Sequence, residues 1–403
     1  MDSTDKVYGY RWVVLAVFMG INLTIQMLWI GYAPVTSLAA SYYGVSDLQI
    51  GLLAMSFMIA FIPLSIPVSW VIDTFGFVPA VGFGAVLMAV FGLLRGLSGA
   101  NYTWVLLSTI GIAIAQPFLL NAWTKVPALW FSQGERATAV GLVTLASLAG
   151  TAAGMVLTPI LIETMPLSTI QLFYGGVAGL STVLFLIFAR EKPATPPGPP
   201  GSQGRALMID GLKHALGVRA FWFTLAVAFI AMGIYNGVST WVDNIVAPRG
   251  FTPTDAGTLG ALMLVGGAVG AVVLPYFSDK QRKRQRYLLL GLLLSIPWLI
   301  GLTFASTAWL LFISAFWLGF FLVSTFPVGM QYAAEVTQPT PEGTSNGLIQ
   351  LFGQASVAFV YVMEVLRNPD GSFTPALLLG VGLLVLSLGL LTQMRDPLAT
   401  SAK

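Results

Sequence analysis

Asn22, Gln26 and Trp29 fall at i, i+4 and i+7, so on a helix they share one face. Met232, Tyr235, Asn236 and Ser239 form a second stripe of the same kind. Asn346, Gln350 and Gln354 form a third, with Tyr361 one heptad further on. Gln116, Asn121 and Gln331 stand in otherwise apolar runs. Neutral amides and aromatic rings suit recognition better than bond breaking. An aromatic face attracts a cation by about 0.5–2 kcal/mol, and an amide oxygen accepts from a hydroxyl. A quaternary ammonium, which donates no hydrogen bond, fits the rings of Trp29 and Tyr235, while Gln354 can accept from a hydroxyl. The plainer reading of each Asn or Gln is interhelical glue, worth about 0.6 kcal/mol on average. For Trp29 it is a packed or lipid-facing ring. The chain has no cysteine and one histidine, His214. That excludes disulfides, zinc clusters and a thiol nucleophile, and leaves no imidazole ligand for haem in an apolar run. Nothing resembles a nucleophile–base pair or a phosphate loop, so neither an enzyme nor a resident cofactor is expected.

These residues need long helices to hold them. Of 403 residues, 56% are hydrophobic and 9% charged, with a mean hydropathy of +0.83. Soluble domains carry about 25% charged residues, so this chain cannot cover a water-facing surface. Apolar runs long enough to cross about 30 Å of hydrocarbon recur throughout. They predict helices over 12–42, 48–72, 78–97, 102–131, 136–163 and 168–189. Six more follow over 219–247, 255–277, 286–305, 308–334, 343–366 and 374–394. The fold class is an all-α integral membrane protein, and the absence of ten-residue alternation excludes a barrel. Five prolines lie between Pro193 and Pro200, followed by glycine and serine. Neither a packed core nor a span can form there. The expected organisation is a six-helix bundle over 1–189, a linker over 190–218 and a second bundle over 219–403. Gly150 and Gly154, like Gly266 and Gly270, are spaced for close helix contact.

Of the 19 Lys and Arg, only Arg95, Arg249 and Arg367 fall on the side away from the termini and linker. The other sixteen place both termini and the linker in the cytoplasm, in a plasma or inner membrane. The net charge of +3 thus reflects topology and not a nucleic-acid partner. Expected partners are membrane lipids and a small-molecule substrate, with the chain a monomer.

Two short loops sit at matching places in the halves. One is Ser69-Trp70-Val71-Ile72-Asp73-Thr74-Phe75-Gly76, and the other runs Ser278-Asp279-Lys280-Gln281-Arg282-Lys283-Arg284. Each resembles the G-x-x-x-D-R-x-G-R-R loop of the major facilitator superfamily. The first keeps the Asp and second Gly, the second the Asp and basic residues. The resemblance implies two bundles rocking about a site at mid-membrane, lined by helices 1, 4, 7 and 10. It also gives Asp73, Asp279 and Lys280 gating roles. Longer strings include Tyr10-Arg11-Trp12-Val13, Trp29-Ile30-Gly31-Tyr32, Trp70-Val71-Ile72-Asp73-Thr74, and Ala334-Glu335-Val336-Thr337 with Pro341-Glu342-Gly343-Thr344-Ser345-Asn346-Gly347-Leu348. Together they look like the feline leukaemia virus subgroup C receptor-related family of choline and haem carriers. That resemblance implies that Trp29 stacks on choline and that Gln354 is a cavity glutamine. The family's helix-7 tyrosine falls on Asn236, beside Tyr235, and its helix-5 glutamine falls on Leu148.

Lys125 and Glu335 read as struts of a gate near one membrane face, where pairing offsets desolvation. Asp243 and Glu364 read as attractors of cations or as a solvated rim at the other. With no acid expected at mid-depth, facilitated movement of a small polar organic solute, a choline-like cation first, is the leading expectation. A proton-coupled drug exporter, a monocarboxylate carrier using Lys125 and a non-transporting receptor stand as alternatives.

Overall fold

A computed structural model describes residues 8–123, 125–132, 135–193, 209–340 and 342–394. The side chains of residues 136, 137, 209, 210, 342–344 and 346 are outside that description. The described residues are helical or in turns, with no strand among them. The chain divides into two compact units, Met1–Ser202 and Gln203–Lys403.

The first unit holds α1 (Arg11–Tyr43), α2 (Asp47–Phe75), α3 (Phe77–Leu97), α4 (Tyr102–Trp130), α5 (Thr138–Leu161) and α6 (Leu167–Phe188). The second holds α7 (Arg219–Thr240), α8 (Pro253–Gln281), α9 (Arg284–Phe304), α10 (Ala308–Val336), α11 (Gly347–Val365) and α12 (Thr374–Thr392). All twelve are long and apolar enough to cross a membrane. Helix ends follow local chemistry. Ser46 and Gln49 form a capping box on α2, as do Thr252 and Asp255 on α8, where Pro253 opens the helix. Between bundle helices the small residues let backbones touch. A Cβ on Gly150 would lie 2.0 Å from the Leu23 carbonyl oxygen of α1, and one on Gly266 would lie 2.0 Å from that of Phe316 on α10. Larger residues would hold these pairs apart.

Four helices predicted as unbroken are interrupted. The predicted 12–42 stops at Ile30, passes through a 3-10 turn, Ala33–Val35, and resumes as Thr36–Tyr43. Pro34 cannot donate to the helix ladder, and it restricts the residue before it. The predicted 102–131 stops at Leu120, just after Pro117, and resumes as Lys125–Trp130. The predicted 219–247 is broken at Trp241 before Val242–Val246. The predicted 343–366 runs as Glu342–Ala355 and Val357–Val365. At that break the Ser356 hydroxyl donates to the Gly353 carbonyl at 2.5 Å, which favours a bend. Within the part of the chain expected as linker, a short helix runs over Ile209–Gly217. It is tied to the turn after α10, where Thr340 Oγ1 donates to Gly211 O at 3.0 Å and His214 Nε2 lies 3.1 Å from Gln338 O.

Candidate functional site

In the first unit Trp29 occupies the last turn before the break in α1. Its indole N–H donates to the Ala54 carbonyl of α2 at 3.2 Å, which fixes the ring's edge. One turn earlier, the side-chain oxygen of Gln26 is buried with no donor among the described residues. The same holds for Gln116 Oε1 on α4, beside Pro117. A buried acceptor without a donor costs about 1–3 kcal/mol, a cost that the described residues leave standing at these two amides. Asn22 and Asn121 are different. Asn22 Nδ2 donates to Phe18 O at 2.9 Å, and its oxygen accepts from Trp123 Nε1 at 2.5 Å. Asn121 Nδ2 donates to Ser65 O at 2.8 Å and to Ser69 Oγ at 3.0 Å, binding α4 to α2. Both act as ties between segments.

In the second unit Asn236 is buried and donates to Ser356 Oγ at 3.3 Å, joining α7 to the break in α11. Tyr235, half-buried, bonds Ser239 one turn on. Gln350 and Gln354 are half-buried just before that break, whereas Tyr361 lies beyond it and is 47% exposed. The helix-11 stripe is therefore cut at Ser356. The side chain of Asn346 is outside the described residues. Met232, Thr224, Phe326 and Ile349 line a cavity of about 20 Å³ within this unit. That is room for about one water molecule.

The charged residues predicted to gate pair inside their own units. Lys125 Nζ meets Asp73 Oδ1 at 2.6 Å. Arg284, buried, bonds both Asp279 and Glu335, the latter at 3.1 Å. Gln331 is exposed and donates to Glu335 at 3.1 Å. Lys280 is exposed. Glu191, a residue the sequence analysis did not single out, accepts from the backbone N–H of Phe77 at 2.9 Å and of Val78 at 2.8 Å. It thus places a carboxylate on the positive end of α3. The only sign of it in sequence was a lone acid in the basic stretch Arg190-Glu191-Lys192. Around it the same end of the unit is laced together. Tyr10 Oη donates to Phe188 O at 2.8 Å and Trp130 Nε1 to Arg190 O at 3.1 Å. Arg11 grips Glu135 with two bonds of 3.0 and 2.9 Å. The Ser132 hydroxyl and the Arg11 guanidinium hold the Glu135 carboxyl below its ordinary range.

Three charged residues near the span ends are largely buried. Arg95, assigned by charge distribution to the side away from the termini, is 1% exposed. It donates from Nη1 to Leu28 O at 3.0 Å and lies 5.3 Å from the centre of the Tyr32 ring. Asp243 is 2% exposed, so it is no solvated rim. Glu364 is turned to Arg367 at 3.4 Å, with 16% of its side chain exposed.

A family model described as Major Facilitator Superfamily matches residues 12–361. The chain belongs to that superfamily. It is a multi-pass membrane protein and a transporter of this type. Among curated relatives, the choline/ethanolamine transporter FLVCR2 of Rattus norvegicus is 27% identical over 373 residues, 88% of this chain and 68% of that one. The Homo sapiens protein of the same name is 26% identical, covering 87% and 71%. Solute carrier family 49 member A3 of Xenopus tropicalis is 28% identical, covering 92% and 81%. The resemblance to the feline leukaemia virus subgroup C receptor-related family, read from the motifs, agrees with these relatives. A solved bacterial homologue of the human lysosomal transporter Spinster, inward-facing and unoccupied, superposes with a TM-score of 0.77 at 16% identity. It covers 96% of this chain and 97% of its own. That likeness concerns the fold alone.

Proposed function

We propose that this superfamily member carries a small, hydroxyl-bearing organic cation of the choline or ethanolamine type by facilitated alternating access. The observation that carries the reading is the set on α1 and α4. An indole is edge-locked to Ala54, and two buried amide oxygens, on Gln26 and Gln116, lack donors. A ring face suits the ammonium and an unmet acceptor suits the hydroxyl. Within the second unit, Gln354 and Tyr235 are the residues we assign to the same chemistry. The choline/ethanolamine transporters among its relatives support the same class of solute. Lys125, which a monocarboxylate carrier would need as an anion partner, is engaged by Asp73. The termini and linker are assigned to the cytoplasm by the distribution of Lys and Arg.

A thermal-shift series on purified protein tests this. Choline and ethanolamine should raise the unfolding temperature while lactate does not. Trp29→Ala should abolish the choline shift, and Gln116→Leu should weaken it. Equal shifts in wild type and Trp29→Ala would reject the aromatic site.

A further inference from the structure

The turn between α8 and α9 carries more positive charge than the described residues neutralise. Arg284 is consumed by Asp279 and Glu335. Lys280, Arg282, Lys283 and Arg286 are all exposed, and no acid pairs with any of them among the described residues. Their frame is fixed. Arg282 ends α8 in the left-handed region at φ 52°, its N–H bonded to Asp279 and Ser278 carbonyls. Gln285 Nε2 donates to Leu391 O at 2.7 Å. Four like charges are thus held together with no acid among the described residues to offset their repulsion, and an outside anion would do so.

The helix leading to this turn shows where that anion comes from. Val265, Val269, Val272 and Tyr276 are exposed, at 50%, 44%, 70% and 59%. Their spacing of four, three and four puts them on one face of α8, and Lys280 follows four residues later on the same face. Tyr276 and Phe277 make an edge-on pair with centroids 5.4 Å apart, a suitable marker of the hydrocarbon edge. From Val265 to Tyr276 the stripe runs about 16 Å at 1.5 Å per residue, close to half of a hydrocarbon core of about 30 Å. An acyl chain laid along the valines brings its headgroup to Lys280 and its three neighbours.

We infer that the α8–α9 turn is a docking site for an anionic phospholipid, its phosphate held by Lys280, Arg282, Lys283 and Arg286 and its acyl chain by the Val265–Tyr276 stripe. The apolar stripe continuous with the cations selects a lipid over a free phosphate, and the surplus of positive charge selects an anionic headgroup over a zwitterionic one. Because Arg284 joins the turn to Glu335 of α10, the lipid bears directly on residues assigned to the gate.

The test is lipid titration of delipidated, full-length protein in detergent, with bound lipid counted by native mass spectrometry. Phosphatidylglycerol should bind at least about tenfold tighter than phosphatidylcholine, since each cation near an anionic surface contributes roughly fivefold and neighbouring charges are partly screened. Replacing all four with glutamine (K280Q, R282Q, K283Q, R286Q) should bring the two lipids to parity. The double variant K280Q/R286Q leaves the turn residues untouched. It should lose at least half of the logarithmic preference, which decides the matter if the quadruple variant does not fold. R190Q/K192Q, neutralising two exposed cations of the first unit, should keep the preference. A preference retained in K280Q/R286Q, or lost equally in R190Q/K192Q, overturns the site. Displacement of phosphatidylglycerol by millimolar glycerol phosphate overturns the lipid as its occupant.

Discussion

Neutralising Glu191 should loosen one end of the first unit by a predictable amount. Its carboxylate accepts two backbone bonds, of 2.9 and 2.8 Å, from the first residues of α3. Bonds to a charged group contribute about 1.5–3 kcal/mol, and a charge at a helix N-terminus about 0.3–1 kcal/mol. Glu191→Gln keeps one acceptor oxygen and loses the charge. Allowing for partial exposure, the expected cost is about 1–2 kcal/mol. For a unit of this size that is a fall of roughly 3–6 °C in unfolding temperature, read by intrinsic fluorescence of the purified protein at neutral pH. Gly76 supplies the control. It sits at φ 94°, and a Cβ there would lie 2.6 Å from Glu191 Oε1. Gly76→Ala therefore meets both backbone strain and a displaced carboxylate. In a Glu191→Ala background only the strain remains, so the two changes should be less than additive. An unfolding temperature within about 1 °C of wild type for Glu191→Gln, or a Gly76→Ala cost unchanged by Glu191→Ala, would refute the capping role.

Gly266→Ala should destabilise by about 1–3 kcal/mol or more through overpacking, because its Cβ would lie 2.0 Å from the Phe316 carbonyl oxygen. Gly141→Ala, with nothing within 4 Å, should be neutral or stabilising in the same melt. The Arg11–Glu135 clamp should respond to acid. The carboxyl is held below its ordinary value of 4.5, so its contribution is complete above 4.5 and is lost as pH falls below that through the lower folded value. Glu135→Gln should accordingly melt below wild type at pH 7, with the gap closing under acid. A gap independent of pH would contradict this.

The spans were legible because lipid leaves so little freedom: the predicted 286–305 and 374–394 differ from Arg284–Phe304 and Thr374–Thr392 by two residues or fewer at each end. The interruptions at Gly31–Pro34 and after Pro117 were not, since a bundle can either absorb a proline or break at it, and those at Trp241 and Ser356 carry no proline and leave hydropathy unchanged. The candidate site was half legible. Helical spacing put Asn22, Gln26 and Trp29 on one face, but whether an amide ties helices or stays open depends on partners far away in sequence. Trp123 claims Asn22, and Ser65 and Ser69 claim Asn121. Among the described residues Gln26 and Gln116 have no such claimant for their oxygens. Glu191 escaped notice for a related reason. It looked like linker until the start of α3, against which it packs, was in place.

The central claim concerns what crosses the membrane and on which ring it rests. Purified protein in sealed proteoliposomes should equilibrate radiolabelled choline without any ion gradient, and Trp29→Ala should reduce that flux at least tenfold while the protein remains folded. Choline flux unaffected by Trp29→Ala, or uptake that appears only under an imposed proton gradient, would contradict it.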